Sequence, residues 1–104
     1  MEFRVPLETL PLINGQKYEI RTGPDGRPLI SFGGSAIIYF GTDPNGRDVV
    51  IKELFPRNCA YRKSDGSVTA IRGREAVFNH NRYLREGREP VVHRRVQERS
   101  RRLP

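Results

Sequence analysis

Apolar positions crowd into two stretches of strong β propensity, residues 36–40 (Ala36-Ile37-Ile38-Tyr39-Phe40) and 48–54, where Val49, Val50 and Ile51 run without a break. Thr42-Asp43-Pro44-Asn45-Gly46 lies between them and has the composition of a tight turn, so the pair predicts a β-hairpin. The unbroken apolar run is expected where both faces of a strand are covered. Residues 16–22 alternate, with Tyr18 and Ile20 on one side, and predict a further strand ending at the turn cluster 23–28. Residues 29–32 lead from that cluster into a run of small residues. Downstream, 61–63 and 67–71 flank Ser64-Asp65-Gly66 and predict a smaller hairpin.

The period changes from two toward 3.6 at Arg74. Val77 and Leu84, with His80 and Asn81 beside them, predict a helix that Gly87 stops. Pro90 suits the first turn of a second helix, along which Val92, Val96 and Leu103 align. The opening residues 1–15 mix prolines with apolar positions and close on Asn14-Gly15, the pattern of an extended arm. The predicted organisation is therefore an arm over 1–15 and one domain over 16–104, with a sheet over 16–71 and a helical segment over 74–104. The expected fold class is α+β: an antiparallel sheet of about five strands with one or two helices packed on one face.

Composition narrows the class further. At 104 residues the chain has enough material for a single modest core. Ten arginines against four glutamates from Arg72 onward account for +6 of the net charge of +7. Such a segment can neutralise phosphates non-specifically by releasing their counterions, or can serve as a solvated helix face. Cys59 is the single cysteine, which excludes an intrachain disulfide and a cysteine-rich metal site and fits a reducing compartment. His80 and His93 have no partner at metal-ligand spacing. No apolar run reaches the length of a membrane span, so a soluble, cytoplasmic protein without a membrane partner is expected.

The candidate chemistry lies in Ser31-Phe32-Gly33-Gly34-Ser35-Ala36-Ile37-Ile38, followed one hairpin later by Val49-Val50-Ile51-Lys52. Taken separately, these are a small-residue turn and a strand-end lysine. Together they resemble the Gly-x-Gly-x-x-Gly-x-Val and Val-Ala-Ile-Lys elements of the N-terminal, ATP-binding lobe of protein kinases. The continuation Glu53-Leu54-Phe55-Pro56, with Arg62 and the Asp65-Gly66 turn beyond, is similar to a segment of bacterial serine/threonine kinases. The resemblance covers residues 18–71. Ser31 and Ala36 stand where the family has its first and third glycines, and Gly33 keeps the second.

The resemblance implies a nucleotide site built from Ser31, Phe32, Gly33, Gly34, Ser35, Ala36, Ile38, Val50 and Lys52. Lys52 would meet the α- and β-phosphates, Ile38 and Val50 would cover the adenine, and Glu98 ranks first among the acids that could hold Lys52. It implies ATP as ligand, with magnesium only if a C-terminal lobe is supplied, and that lobe or another protein as partner. No catalytic-loop aspartate or magnesium-binding aspartate follows: His93-Arg94-Arg95 lacks the acid, and Asp25-Gly26 and Asp65-Gly66 are turns. The chain as given is expected not to transfer phosphate. The alternative is a freestanding, non-catalytic kinase-like module that binds a protein or nucleic acid through its arginine-rich helices. An uncovered stripe of Val92, Val96 and Leu103 would favour a homodimer in either case.

Overall fold

A computed structural model describes residues 2–79 and 91–94. The elements are β1 (Glu19–Ile20), β2 (Ile30–Phe32), β3 (Ala36–Thr42), β4 (Asp48–Leu54), β5 (Ala60–Arg62), β6 (Val68–Ala70) and β7 (Val91–Arg94). One short helical segment, α1, covers residues 75–79. The larger sheet is antiparallel and five-stranded, with β3, β4 and β7 side by side and both β1 and β2 on the remaining edge of β3. A separate two-stranded sheet joins β5 to β6. The fold is thus a small α+β arrangement dominated by antiparallel sheet.

Strands β1 and β2 behave as one edge strand with an excursion inserted. Arg21 N–H donates to Phe40 O (2.8 Å), and Phe40 N–H donates to Leu29 O (3.1 Å). Phe40 therefore spans the root of the excursion, which closes through the Thr22–Pro28 bridge. Its turn is one of three built alike. Gly23–Arg27, Asp43–Arg47 and Lys63–Ser67 each close with the first N–H bonded to the fifth carbonyl and the fourth N–H bonded to the first carbonyl, at 2.7–2.9 Å. The fourth residue is glycine each time (Gly26, Gly46, Gly66), at φ of 80°, 81° and 92°, a region that costs other residues a Cβ clash. The turn starts lie twenty residues apart, from Gly23 to Asp43 to Lys63, a regularity that hydrophobic periodicity does not register.

Alternation along β3 and β4 separates two faces. Ile37, Tyr39, Val49 and Ile51 are essentially inaccessible and form the core with Ile13, Leu54, Phe55, Cys59, Ala60 and Phe78. Their neighbours Ile38, Phe40, Val50 and Lys52 are half-buried on the outer face. The 1–15 arm is extended, as expected, but it is also part of the core: Ile13 is 3% exposed, and Leu7 and Leu10 pack against the buried cluster.

Two expectations change. Residues 91–94, placed by sequence in a second helix, form strand β7, with Val91 opposite Lys52 and His93 opposite Val50. Central strand β4 has two edges of backbone donors and acceptors to satisfy, and the β-branched pair Val91-Val92 suits the pairing better than a helix interior. The expected C-terminal helical segment is therefore interrupted by strand. The Gly87 stop, Val96, Glu98 and Leu103 lie outside the described residues. Among the described residues, no helix is long and apolar enough to cross a membrane.

Candidate functional site

The β3–β4 register sets the geometry of the proposed phosphate site. Ile38 lies directly opposite Lys52, and Ser31 lies opposite Ile38 on the other side. Ser31, Ile38 and Lys52 consequently stand abreast on the outer face, spanning two strand spacings or about 10 Å. Val50 is on the same face two residues along β4, and Phe40 faces it across the β3–β4 ladder. Phe40 was not singled out by the motif comparison. Its even position in β3, in phase with Ile38, is the signal that places it here.

The remaining predicted residues divide. Phe32 pairs with Ile37 and turns toward the core side, where the Arg4 guanidinium lies 5.5 Å from its ring centroid. Ala36 is buried opposite Leu54. Gly33, Gly34 and Ser35 make the turn itself: Gly33 N–H donates to Ala36 O at 2.8 Å, with Gly34 and Ser35 at the tip. Phe55 N–H donates to Ser35 O (2.9 Å) and Arg57 N–H to Gly34 O (3.0 Å), so the segment after β4 holds the tip in place. No residue from 31 to 36 has a positive φ. A Cβ on Gly34 would meet nothing within 4 Å, and one on Gly33 would make only ordinary contacts at 3.5 and 3.8 Å. Ser31 and Ala36 therefore lose no needed backbone freedom relative to glycine.

Lys52 forms no hydrogen bond or ion pair with the described residues. The acids close to it in sequence are already engaged. Asp48 accepts from Arg21 at 3.1 Å. Glu53 points to the opposite face, where Arg62 donates to both of its carboxylate oxygens at 2.8 Å and the Tyr39 hydroxyl donates at 2.7 Å. Glu98, the expected partner of Lys52, lies outside the described residues.

The Tyr39–Glu53–Arg62 group is a polar centre that the sequence reading did not identify. Tyr39 Oη accepts from Leu7 N–H (2.9 Å), and Arg62 also donates to Val5 O and Gly66 O at 2.7 Å each while lying 5.2 Å from the Phe55 ring centroid. The network ties together the arm, the large sheet and the β5–β6 hairpin. Burial pushes the Tyr39 hydroxyl well above the ordinary tyrosine range, and donation to the Glu53 carboxylate acts in the same direction. Parity carried the missing signal: Glu53 is in phase with Ile51 and Val49, and a carboxylate on the core face requires a partner. Among the described residues, every buried side-chain nitrogen and oxygen has a hydrogen-bond partner.

A cleft of about 800 Å³ opens on this second side, between arm residues Leu7, Thr9, Leu10 and Pro11 and hairpin residues Lys63, Asp65, Gly66, Ser67, Val68 and Thr69, with Glu53, Leu54 and Phe78 at its base. None of the residues predicted to bind nucleotide lines it. Comparisons with protein-family models, curated proteins and solved structures give no match. Among the described residues no group of three or more His, Cys, Asp or Glu side chains is placed to hold a metal ion.

Proposed function

We propose that the outer face of the large sheet binds a nucleotide, with Lys52 on its phosphates and Ile38, Phe40 and Val50 against its base, in the manner of the N-terminal lobe of a bacterial serine/threonine kinase. The observation that carries this reading is the register: Lys52, on a central strand, stands beside Ile38 and in line with Ser31, half-buried and without an anionic partner among the described residues. A half-desolvated ammonium with no carboxylate attracts a phosphate more strongly than a fully solvated one. The tied turn at Gly34 and Ser35 supports the reading because a loop already in place loses little entropy on binding. The sequence supplies neither a catalytic base nor the magnesium-binding acids of a kinase, so the proposed activity of this chain is binding.

The test is a thermal melt with and without millimolar ATP, on the protein and on Lys52→Ala. At about a hundred times the dissociation constant, ligand binding adds roughly 2.7 kcal/mol to stability. For a chain of this size that raises the midpoint by on the order of 10 °C. The expected result is a rise for the parent protein and a much smaller one for Lys52→Ala. Equal shifts would remove Lys52 from the site, and no shift in either would remove nucleotide binding.

A further inference from the structure

The cleft between the arm and the β5–β6 hairpin has a wall made of an unpaired strand edge. In the hairpin, Lys63 N–H donates to Ser67 O and Ile71 N–H donates to Cys59 O. With Tyr61 opposite Thr69, these bonds fix the alternation of the ladder. The N–H and C=O groups of Val68 and Ala70 therefore point away from β5, and no described residue pairs with them. Val68 lines the cleft, and the facing wall, Leu7 to Pro11, is also extended chain. The base is apolar, from Leu10, Leu54 and Phe78. At the mouth, Lys63 is exposed and makes no ion pair with the described residues.

We propose that this cleft is a peptide-docking slot in which an extended, acidic segment of a partner protein adds to the free edge of β6 as a third strand. Backbone hydrogen bonds to Val68 and Ala70 supply the register, and alternate apolar side chains of the peptide descend onto Leu10, Leu54 and Phe78. Charge selects the partner. Lys63 stands at the entrance, and the protein's net charge of +7 steers acidic chains toward it. Glu53, the acid at the base, is neutralised by Arg62 and does not oppose them. An edge strand with neither proline nor charge from Val68 to Ala70 lacks the usual chemical guards against pairing, as a docking edge requires.

The experiment uses the full chain and an acetylated, amidated octapeptide alternating glutamate and valine. Affinity and amide hydrogen exchange are measured for the parent, for Val68→Pro and for Lys63→Glu. Val68→Pro deletes one outward N–H and leaves the β5–β6 bonds intact, because the Val68 amide takes no part in them. The expected result is slowed exchange at Val68 and Ala70 on binding. Affinity should fall roughly tenfold in Val68→Pro, the loss of one backbone hydrogen bond. Lys63→Glu should weaken binding and flatten its salt dependence. The proposal is overturned if the peptide does not bind at millimolar concentration, if Val68→Pro binds as well as the parent, or if a lysine–valine octapeptide binds equally. It is also overturned if slowed exchange at Val68 requires no peptide and tracks protein concentration, which would make the occupant a second copy of the chain.

Discussion

Replacing Arg62 with methionine should be among the most damaging single changes in this protein, and the structure gives the scale. Arg62 makes four hydrogen bonds, two of them to the Glu53 carboxylate, and its side chain is 12% exposed against 7% for Glu53. Arg62→Met keeps much of the aliphatic stem but leaves Glu53 on the core face with only the Tyr39 hydroxyl. Removing one member of a buried pair costs about 3–5 kcal/mol, and the slight exposure favours the lower end. Against a total stability of roughly 5–15 kcal/mol, that is a large fraction. Urea denaturation gives the measurement: with a slope of about 1–3 kcal/mol per molar, a loss of about 3 kcal/mol moves the midpoint down by roughly 1–3 M. The double variant Arg62→Met/Glu53→Leu should recover much of this loss, because no buried charge is stranded. A loss below about 1 kcal/mol for Arg62→Met, or a double variant that is merely additive, would refute the claim that the pair is a buried, mutually dependent unit.

Tyr39 should remain protonated above pH 11 until the protein unfolds, because its folded-state value is raised above the ordinary value near 10. Its contribution to stability is full below about pH 10 and is lost as pH rises beyond it; absorbance at 295 nm showing all four tyrosines ionising in the folded protein would contradict this. Glu2, held at about 2 chiefly by its hydrogen bonds from Arg4, contributes stability above about pH 4 that disappears as pH falls through 2. Glu2→Gln should therefore flatten the acid limb of the stability profile, and an unchanged limb would show that the Glu2–Arg4 contact does not persist in solution. Gly41→Ala would drive a methyl group into the Glu19 carbonyl oxygen and to 3.2 Å from Ile51 Cδ1, at the point where β1 crosses β3. Overpacking of this kind costs about 1–3 kcal/mol, so a melting temperature within about 2 °C of the parent would count against that close approach.

The parts of the fold that follow from local pattern were legible in the sequence. The β3–β4 hairpin, the smaller β5–β6 hairpin and the helix beginning near Arg74 all appear where turn residues and periodicity put them. What was not legible depends on contacts distant in sequence. Val91-Val92 satisfies a helical stripe when read locally, yet β4 needs a second neighbour, and that need is visible only once β4 is recognised as central. The unbroken apolar run of Val49, Val50 and Ile51 was the available clue. The arm was correctly read as extended, but its anchoring through Arg4 to Phe55 O and through Leu7 N–H to Tyr39 Oη spans 51 and 32 residues, beyond any local pattern. In the candidate site, the alignment of Ser31, Ile38 and Lys52 followed from strand parity, whereas Phe32 and Ala36 turned out to belong to the core side and the interior.

The central claim is that nucleotide binds on the outer face of the large sheet at Lys52, and amide chemical-shift mapping of ATP binding tests it most directly. Titrating isotope-labelled protein with ATP is predicted to move the resonances of Ser31, Gly33, Gly34, Ile38, Val50 and Lys52 together, along one saturation curve, while Val68 and Thr69 in the cleft stay in place. Shifts confined to the cleft, or none at millimolar ATP, would contradict it.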